Sequence, residues 1–159
     1  VLAQRGESIQ REPGGIDRMD RELVRSCYHP DASDSHGSFA GEREEFLAWL
    51  WRLLERYEST MHFVGNLLVE PAGDIARAET YGIAFHRGRS DEPRLNLSTG
   101  FRYLDRFERR SGEWRIARRI ALTEWVRHDD PAGRWPIPPG MRRGTRDASD
   151  ALYEILSRN

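Results

Sequence analysis

The spacing of the hydrophobic residues changes near residue 60, and this change restricts the fold more than any other feature of the chain. From Glu42 to Tyr57 apolar residues recur at helical intervals, with charged residues between them. Beyond Thr60 apolar and polar residues alternate, which is typical of β-strands. Helices first and long strands afterwards predict an α+β domain.

The second half of the chain is predicted to consist of two long hairpins. Turn-forming residues at positions 71–74 and 109–113 separate the members of each pair. Such hairpins predict a curved sheet with helices on one face and space for a small-molecule pocket between the two layers. The four predicted strands are Met61 to Glu70, Ile75 to Arg87, Leu95 to Glu108 and Trp114 to Arg127.

The two ends of the chain have weaker patterns, which leads us to expect a domain at residues 16–128. Residues 1–15 are predicted to be irregular, because Pro13-Gly14-Gly15 disfavours a helix. Asp17 is predicted to cap a short helix that ends at His29-Pro30. Residues 31–41 are polar and turn-rich and could contain one short strand. Residues 129–159 form an extension expected to pack on the domain or on a neighbouring subunit. The basic cluster in this extension is assigned to solvent or a subunit contact: Arg142, Arg143 and Arg146.

Composition limits the classes of function. The chain has 159 residues and a formal net charge of -1, which argues against a nucleic-acid binder. No apolar run approaches the ~18 residues that cross a bilayer, so we expect no membrane partner. All 25 basic residues are arginine, which excludes a lysine base or Schiff base. The single cysteine, Cys27, favours a reducing, cytoplasmic location.

Five histidines are candidates for proton transfer, since imidazole titrates near neutral pH. His62 lies early in the first long strand, where the pattern alone favours a core histidine bonded to a backbone carbonyl. His86 ends the second strand and His36 lies beside Gly37, so a solvated position is the simplest interpretation of both. No two histidines have the spacing of a helical metal site, and a metal held by histidines and Asp17 is a minor alternative.

Arg119 is predicted to lie within the last long strand. Its strand neighbours of the same parity include Ala121 and Thr123, and an arginine among small residues could hold developing negative charge. Arg115 has the same parity, however, and favours an exposed face. The pattern alone therefore favours a solvated Arg119.

Four short motifs occur in an informative order: Ile16-Asp17 opening a helix, residues 28–32 (Tyr-His-Pro-Asp-Ala), residues 61–66 (Met-His-Phe-Val-Gly-Asn) and residues 107–119. This order resembles the SnoaL-like branch of the nuclear transport factor 2-like superfamily over residues 16–128. The resemblance implies an α+β cone, in which a strongly curved, mostly antiparallel sheet is wrapped by N-terminal helices around a pocket. It also implies that no metal or organic cofactor is used.

The resemblance implies a set of site residues. Eliminating members of the family use an aspartate–histidine dyad, which falls on Asp17 and His62, and an arginine of some members matches Arg119. In place of the tyrosine or other polar residue just upstream of the aspartate, this chain has residues 12–16 (Glu-Pro-Gly-Gly-Ile). Similarity to scytalone dehydratase implies three further pocket residues. His86 corresponds to a second pocket histidine of that enzyme. His36 lies near the position of its catalytic tyrosine, and Tyr103 lies near the position of a pocket asparagine.

These observations lead to the hypothesis that the protein is a cofactor-independent lyase acting on a small hydrophobic ring-containing metabolite. Among lyases, they favour a dehydratase. His62 would abstract a carbon-bound proton, Asp17 would orient it and Arg119 would stabilise the developing anion. His36 or His86 would protonate a leaving hydroxyl. Alternatives are an isomerase using the same abstraction, and a non-catalytic ligand-binding or assembly module.

The resemblance further implies a homo-oligomer that assembles through the open sheet face, with a trimer preferred over a dimer. Aromatic residues of the strands are expected to supply an apolar pocket or the core: Phe63, Tyr81, Phe85, Phe101, Tyr103 and Trp125.

Overall fold

The computed structural model describes residues 11–89, 91–92, 96–130, 132 and 136–157. Residues 11–17 are helical and are called α1. The other helices are α2 (Arg21–Ser26), α3 (Arg43–Leu54) and α4 (Ala151–Leu156). The strands are β1 (Tyr28–His36), β2 (Phe39–Glu42), β3 (Tyr57–Ala72), β4 (Ile75–Gly88), β5 (Leu97–Arg110) and β6 (Glu113–His128).

The six strands form one curved sheet in the order β2-β1-β6-β5-β4-β3. Strands β3 to β6 follow one another as antiparallel neighbours, as the alternation of their residues predicts. The pairing of β1 with β6 is parallel, and β2 adds to β1 as an antiparallel edge strand. The predicted α+β class with a mostly antiparallel, curved sheet is therefore confirmed.

Helix α3 supplies much of the apolar layer that covers the sheet. It begins after Glu42, whose backbone N–H donates to the side chain of Glu45 (3.2 Å). Its apolar stripe packs into the main core, next to β1 and β2. The predicted helix was too long, because Tyr57 already belongs to β3. The core residues that α3 contributes are all at most 6% exposed: Phe46, Leu47, Leu50, Trp51 and Leu54.

The N-terminal expectation was wrong for the residues that the structure describes. Residues 11–17 form a helix that runs through Pro13, Gly14 and Gly15. Ile16 is 2% exposed in the main core, so tertiary packing outweighs the low helix propensity of this segment. Residues 1–10 of the predicted irregular segment lie outside the described residues.

The start of α2 differs from the prediction in a way that matters for the site. Asp20, not Asp17, caps this helix, by accepting a hydrogen bond from the backbone N–H of Leu23 (3.0 Å). Asp17 is instead the last residue of α1. Met19 has a left-handed backbone (φ 58°), which turns the chain sharply between the two helices. Asp17 is therefore free to point at the sheet.

Strand β1 covers the end of the first predicted helix and half of the turn-rich segment, in which one short strand was the most that we expected. The helix before it ends at Ser26, so His29 and Pro30 belong to the strand. The register with β6 shifts between Tyr28 and Ser33, and such a bulge accommodates a proline in a sheet.

The C-terminal extension contacts the domain of its own chain. The guanidinium group of Arg146 donates to the backbone carbonyl of Tyr57 (2.6 Å), and Tyr153 Oη donates to Asp20 Oδ2 (3.0 Å). Arg146 is thus partly buried, which corrects its assignment to solvent or a subunit contact. Arg142 and Arg143 form ion pairs with Glu154 and Glu58. None of the described helices is long and apolar enough to span a membrane.

Candidate active site

The structure brings Asp17 and His62 into direct contact at the junction of α1 and β3. His62 Nδ1 and Asp17 Oδ1 are 2.7 Å apart, and the backbone N–H of His62 donates to Asp17 Oδ2 (2.8 Å). The hydroxyl of Thr60 donates a third hydrogen bond to Asp17 Oδ1 (2.8 Å). Since an ionised carboxylate only accepts, Nδ1 of His62 carries a proton and Nε2 is left as the second functional atom of the ring.

The environment of Asp17 favours its ionised form. Burial would raise the pKa of Asp17, but the hydrogen bonds and charge of His62, with a further hydrogen bond from Thr60, lower it below its ordinary value. The imidazole of His62 is only 8% exposed and the carboxylate 21%. The contact is therefore an oriented carboxylate–imidazole dyad that water reaches only in part.

His62 points inward because of strand alternation. Its neighbours Met61 and Phe63 are 57% and 63% exposed on the other face of β3. The interpretation of His62 as a core histidine bonded to a backbone carbonyl was wrong, because its ring binds a carboxylate.

His86 lies beside the dyad on the neighbouring strand, β4. Its ring is 4.7 Å from that of Tyr57 and 6.1 Å from that of His62, measured between centroids. Burial, assisted by the nearby charge of His62, lowers the pKa of His86 to about 4. His86 is therefore a neutral imidazole at neutral pH, and the solvated position predicted for it was wrong.

A row of aromatic rings leads from His62 across the inner face of the sheet. Phe101 lies 6.2 Å from His62 and 4.4 Å from Tyr103, again between ring centroids. Tyr103 is 5.7 Å from His36, whose ring also packs against Phe46. His36 ends β1 and its side chain is 26% exposed, so its interpretation as a surface-turn residue was wrong.

Three of the predicted pocket aromatics face the opposite side of the sheet. Phe63, Tyr81 and Trp125 are 63%, 44% and 44% exposed, and they line an outer groove of about 400 Å³. Phe101 and Tyr103 are buried on the inner face. Strand parity alone could not decide between the two faces.

Arg119 is turned inward by an irregularity in β6. The register with β5 shifts between the Phe107–Ile116 and Arg106–Arg118 pairs. Such a bulge reverses the alternation of the residues that follow it. Arg119 is consequently 1% exposed, and the expectation of a solvated side chain was wrong.

The guanidinium group of Arg119 belongs to a buried charge network. It donates from Nε and Nη2 to the two carboxylate oxygens of Asp105 (2.8 Å each), and Nη1 lies 2.9 Å from Glu12. Nη1 also donates to Tyr28 Oη (3.3 Å), and the group stacks 3.9 Å from the centroid of Tyr103. Burial opposes its charge, but Asp105 and Glu12 hold the pKa of Arg119 well above its ordinary value. Its partners place Arg119 behind Tyr103 rather than next to the dyad.

Sequence reasoning missed Asp34. This residue is 2% exposed, accepts a hydrogen bond from Tyr28 Oη at Oδ2 (3.0 Å), and lies with Oδ1 3.6 Å from Nδ1 of His36. The order Asp34-Ser35-His36 has the two-residue spacing that places both side chains on one face of a strand. That signal was hidden because the segment was predicted to be a loop. Within the described residues, no three histidine, cysteine, aspartate or glutamate side chains are grouped so as to hold a metal ion.

The comparison with known families gives a match that spans most of the chain. Residues 9–120 match the SnoaL-like domain family. No curated protein is detectably similar in sequence.

Solved structures of similar fold cover most of the chain at low sequence identity. A hexachlorocyclohexane dehydrochlorinase, LinA type 2, superposes with a TM-score of 0.75 at 19% identity, over 88% of this chain and 95% of its own. LinA type 3 from Novosphingobium barchaimii LL02 has a TM-score of 0.74 at 17% identity, over 87% and 94%. A protein from Novosphingobium aromaticivorans DSM 12444, proposed to be a scytalone dehydratase, has a TM-score of 0.71 at 17% identity, over 85% and 95%. These similarities establish the fold.

Proposed function

Because this chain belongs to the SnoaL-like domain family, we propose that it is a cofactor-independent lyase that eliminates a leaving group from a small hydrophobic ring-containing molecule. The observation that carries the proposal is the 2.7 Å contact between Asp17 and His62 on the inner face of the sheet. The names of the similar structures, two dehydrochlorinases and a proposed dehydratase, agree with elimination chemistry.

In the proposed reaction His62 is the base. Asp17 holds the Nδ1 proton of His62, so Nε2 accepts a proton from a carbon atom of the substrate. The electron pair of the broken C–H bond forms a new double bond, and the leaving group departs with the electrons of its own bond. Asp17 then stabilises the imidazolium ion of His62. General-base help of this kind is worth ~10²–10⁴-fold in rate.

A hydroxyl leaving group needs a proton, and His36 is the better of the two candidate donors. The pKa of His86 is lowered to about 4, so at neutral pH His86 is a neutral imidazole whose remaining N–H is too weak an acid to protonate a leaving group. His36 lies on the far side of Phe101 and Tyr103 from the dyad, with its ring partly exposed. We assign His86 to the immediate surroundings of the His62 ring, 6.1 Å away between centroids.

Arg119 acts in this proposal through Tyr103 and not on the substrate. The guanidinium group of Arg119 donates hydrogen bonds to Asp105 and Tyr28. These bonds hold the group against the ring of Tyr103. Phe101 and Tyr103, both buried on the inner face, together give an apolar surface that suits a hydrophobic ring and limits the access of water to the dyad. The assignment of Arg119 as an anion-stabilising group is therefore replaced by one as a positioning residue.

The proposal is tested with 5-nitrobenzisoxazole, a ring-containing probe in which a base removes one C–H proton and the N–O bond breaks. The nitrophenolate product absorbs visible light and leaves without acid help, so the assay reports the base alone. We expect elimination above the buffer rate, lowered by ~10²-fold or more in His62→Gln. His128→Gln, at an exposed histidine of β6, is the matched control and keeps the rate.

Equal rates for the wild type, His62→Gln and buffer would contradict the proposal and favour a binding module. An isomerase would also use His62 but would return the proton to another carbon of the same molecule. Once a natural substrate is identified, the release of water or halide distinguishes the two, because a lyase releases a leaving group and an isomerase does not.

We also propose that the outer face of the sheet joins copies of this chain, as a trimer in preference to a dimer. Phe63, Tyr81 and Trp125 are exposed there around one groove, and solitary domains rarely expose such a patch. Light scattering after size-exclusion chromatography should give a trimer for the wild type and a monomer for Phe63→Glu. A monomeric wild type would contradict this assembly.

The location proposed for the protein is the cytoplasm. Cys27 is buried and is the only cysteine of the sequence, so no disulfide within the chain contributes to stability. Fractionation of the producing cells tests this location, and recovery of the protein outside the cytoplasm would contradict it.

A further inference from the structure

Two buried polar atoms face each other at the end of β1 that is nearest to the row of aromatic rings. Oδ1 of Asp34 and Nδ1 of His36 are 3.6 Å apart. Both atoms are buried, and neither has a hydrogen-bond partner in the part of the chain that the structure describes. Buried polar atoms without partners are rare and costly, so this coincidence calls for a physical explanation.

A single proton satisfies both atoms. If Nδ1 of His36 carries hydrogen, a small rotation of the ring shortens the 3.6 Å separation to a hydrogen bond with Asp34. Carboxylate–imidazole contacts are often loose without a substrate and tighten when one binds. The same contact fixes the tautomer of the ring, because it keeps hydrogen on Nδ1 and directs Nε2 elsewhere.

The surroundings of Asp34 hold it in the orientation that this contact needs. Tyr28 Oη donates to Oδ2 of Asp34 (3.0 Å) and itself accepts from Arg119 (3.3 Å). Oδ1 of Asp34 is therefore left for His36.

Other elements complete the surroundings of the pair. The ring of His36 packs against Phe46 and Trp49 of α3, which keeps it beside Asp34. The charged and titratable groups packed around Asp34 and His36 come from α1, β1, β5 and β6: Glu12, Tyr28, Tyr103, Asp105 and Arg119.

We propose that Asp34 is a positioning residue for His36, and that the two form a second carboxylate–imidazole pair at the opposite end of the aromatic row from Asp17 and His62. The part of this inference that concerns catalysis rests on the proposed function. The imidazolium form of His36 keeps its Nδ1 proton on Asp34 and gives the Nε2 proton to the departing oxygen, directly or through one water. The C–O bond electrons stay with that oxygen, so water leaves, and His36 regains a proton from solvent.

The pairing of Asp34 with His36 can be tested without a substrate, because ¹⁵N spectra report which nitrogen of the His36 ring carries hydrogen. In the ¹⁵N-labelled protein at a pH where the ring is neutral, we expect the Nδ1–H tautomer of His36 to dominate. In Asp34→Asn we expect the Nε2–H tautomer, which free imidazole side chains prefer. Ser35→Ala, between the two residues, is the matched control and keeps the wild-type pattern. Identical His36 spectra in Asp34→Asn and the wild type would overturn the pairing.

A pair of probes tests the catalytic part. Unsubstituted benzisoxazole releases a more basic phenolate than 5-nitrobenzisoxazole, so its elimination gains more from an acid. We expect Asp34→Asn to lower the rate ratio of the unsubstituted to the nitro probe about tenfold, whereas general damage to the fold slows both probes alike. His36→Gln gives the same change of ratio and serves if Asp34→Asn does not fold. An unchanged ratio in both variants would overturn the acid role.

The two proposals fail in distinguishable ways. A wild type that is inactive on the nitro probe contradicts the proposed lyase, whatever the His36 spectra show. An active wild type whose probe ratio and His36 tautomer do not respond to Asp34→Asn contradicts only the second pair.

Discussion

His62 Nδ1 lies 2.7 Å from Oδ1 of Asp17, a residue 45 positions earlier in the chain, and the backbone N–H of His62 binds the other oxygen of the same carboxylate. This two-point contact fixes the orientation of both the ring and its strand relative to α1. The hydrogen bond from Thr60 to Oδ1 adds a third constraint on the position of this carboxylate. The arrangement fits a base whose geometry is set before a substrate arrives.

The first prediction concerns the pH dependence of stability through His86. The pKa of His86 is about 4 in the folded protein and 6.5 in an unfolded chain, so between these values the unfolded state binds more protons. Stability should therefore fall as the pH is lowered through this window, by ~2 kcal/mol between pH 7 and pH 5 from this residue. Urea unfolding at both pH values measures it.

The matched variants for this prediction are His86→Phe and His128→Phe. His86→Phe should lose this part of the pH dependence, whereas His128→Phe, at an exposed position, should retain it. The same slope in both variants would show that His86 is not held neutral.

The second prediction concerns Arg119 as a structural cation. Arg119→Met leaves Asp105 and Glu12 buried without their partner, which costs ~3–5 kcal/mol for a buried ion pair. Arg102→Met is the control, because Arg102 bridges Glu79 and Glu124 near the surface, where water screens the charges. Urea unfolding should show a much smaller loss for Arg102→Met, and equal losses would contradict the network.

The third prediction concerns the close approach of Phe101 to Gly82. A Cβ atom at Gly82 would overlap the ring of Phe101, which packs next to His62. Gly82→Ala should destabilise the fold by ~1–3 kcal/mol through overpacking and slow the elimination of 5-nitrobenzisoxazole. A Cβ at Gly65 would meet only the carbonyl of Tyr81 at 3.6 Å, so Gly65→Ala should change neither quantity. Full activity of Gly82→Ala would show that the position of Phe101 does not affect the reaction, and would contradict its assignment to the active site.

Much of the fold was predictable from local patterns. The stripe of α3 and the alternation in β3 to β6 are signals within single elements, and the structure contains all five. The limits of the elements were less accurate: Tyr57 continues the apolar pattern of α3 but begins β3.

Features that depend on distant partners were not predictable in this way. Strand β1 is stabilised by parallel pairing with β6, where Tyr28 lies opposite Ile116, and nothing in the sequence of β1 indicates that partner. The inward position of Arg119 depends on a bulge, and the helix through Pro13 and Gly15 depends on tertiary packing. The Asp17–His62 pair was expected only because of the family resemblance, since the strand pattern alone favoured a backbone-bonded histidine.

A double-mutant cycle on 5-nitrobenzisoxazole elimination tests the central claim most directly, because it asks whether Asp17 and His62 act as one unit. Asp17→Asn and His62→Gln should each lower the rate by ~10²-fold or more, and the double variant should be no slower than His62→Gln alone. Folding of each variant is verified by its unfolding transition. Independent, multiplicative losses in the double variant, or a wild-type rate in either single variant, would contradict a catalytic dyad.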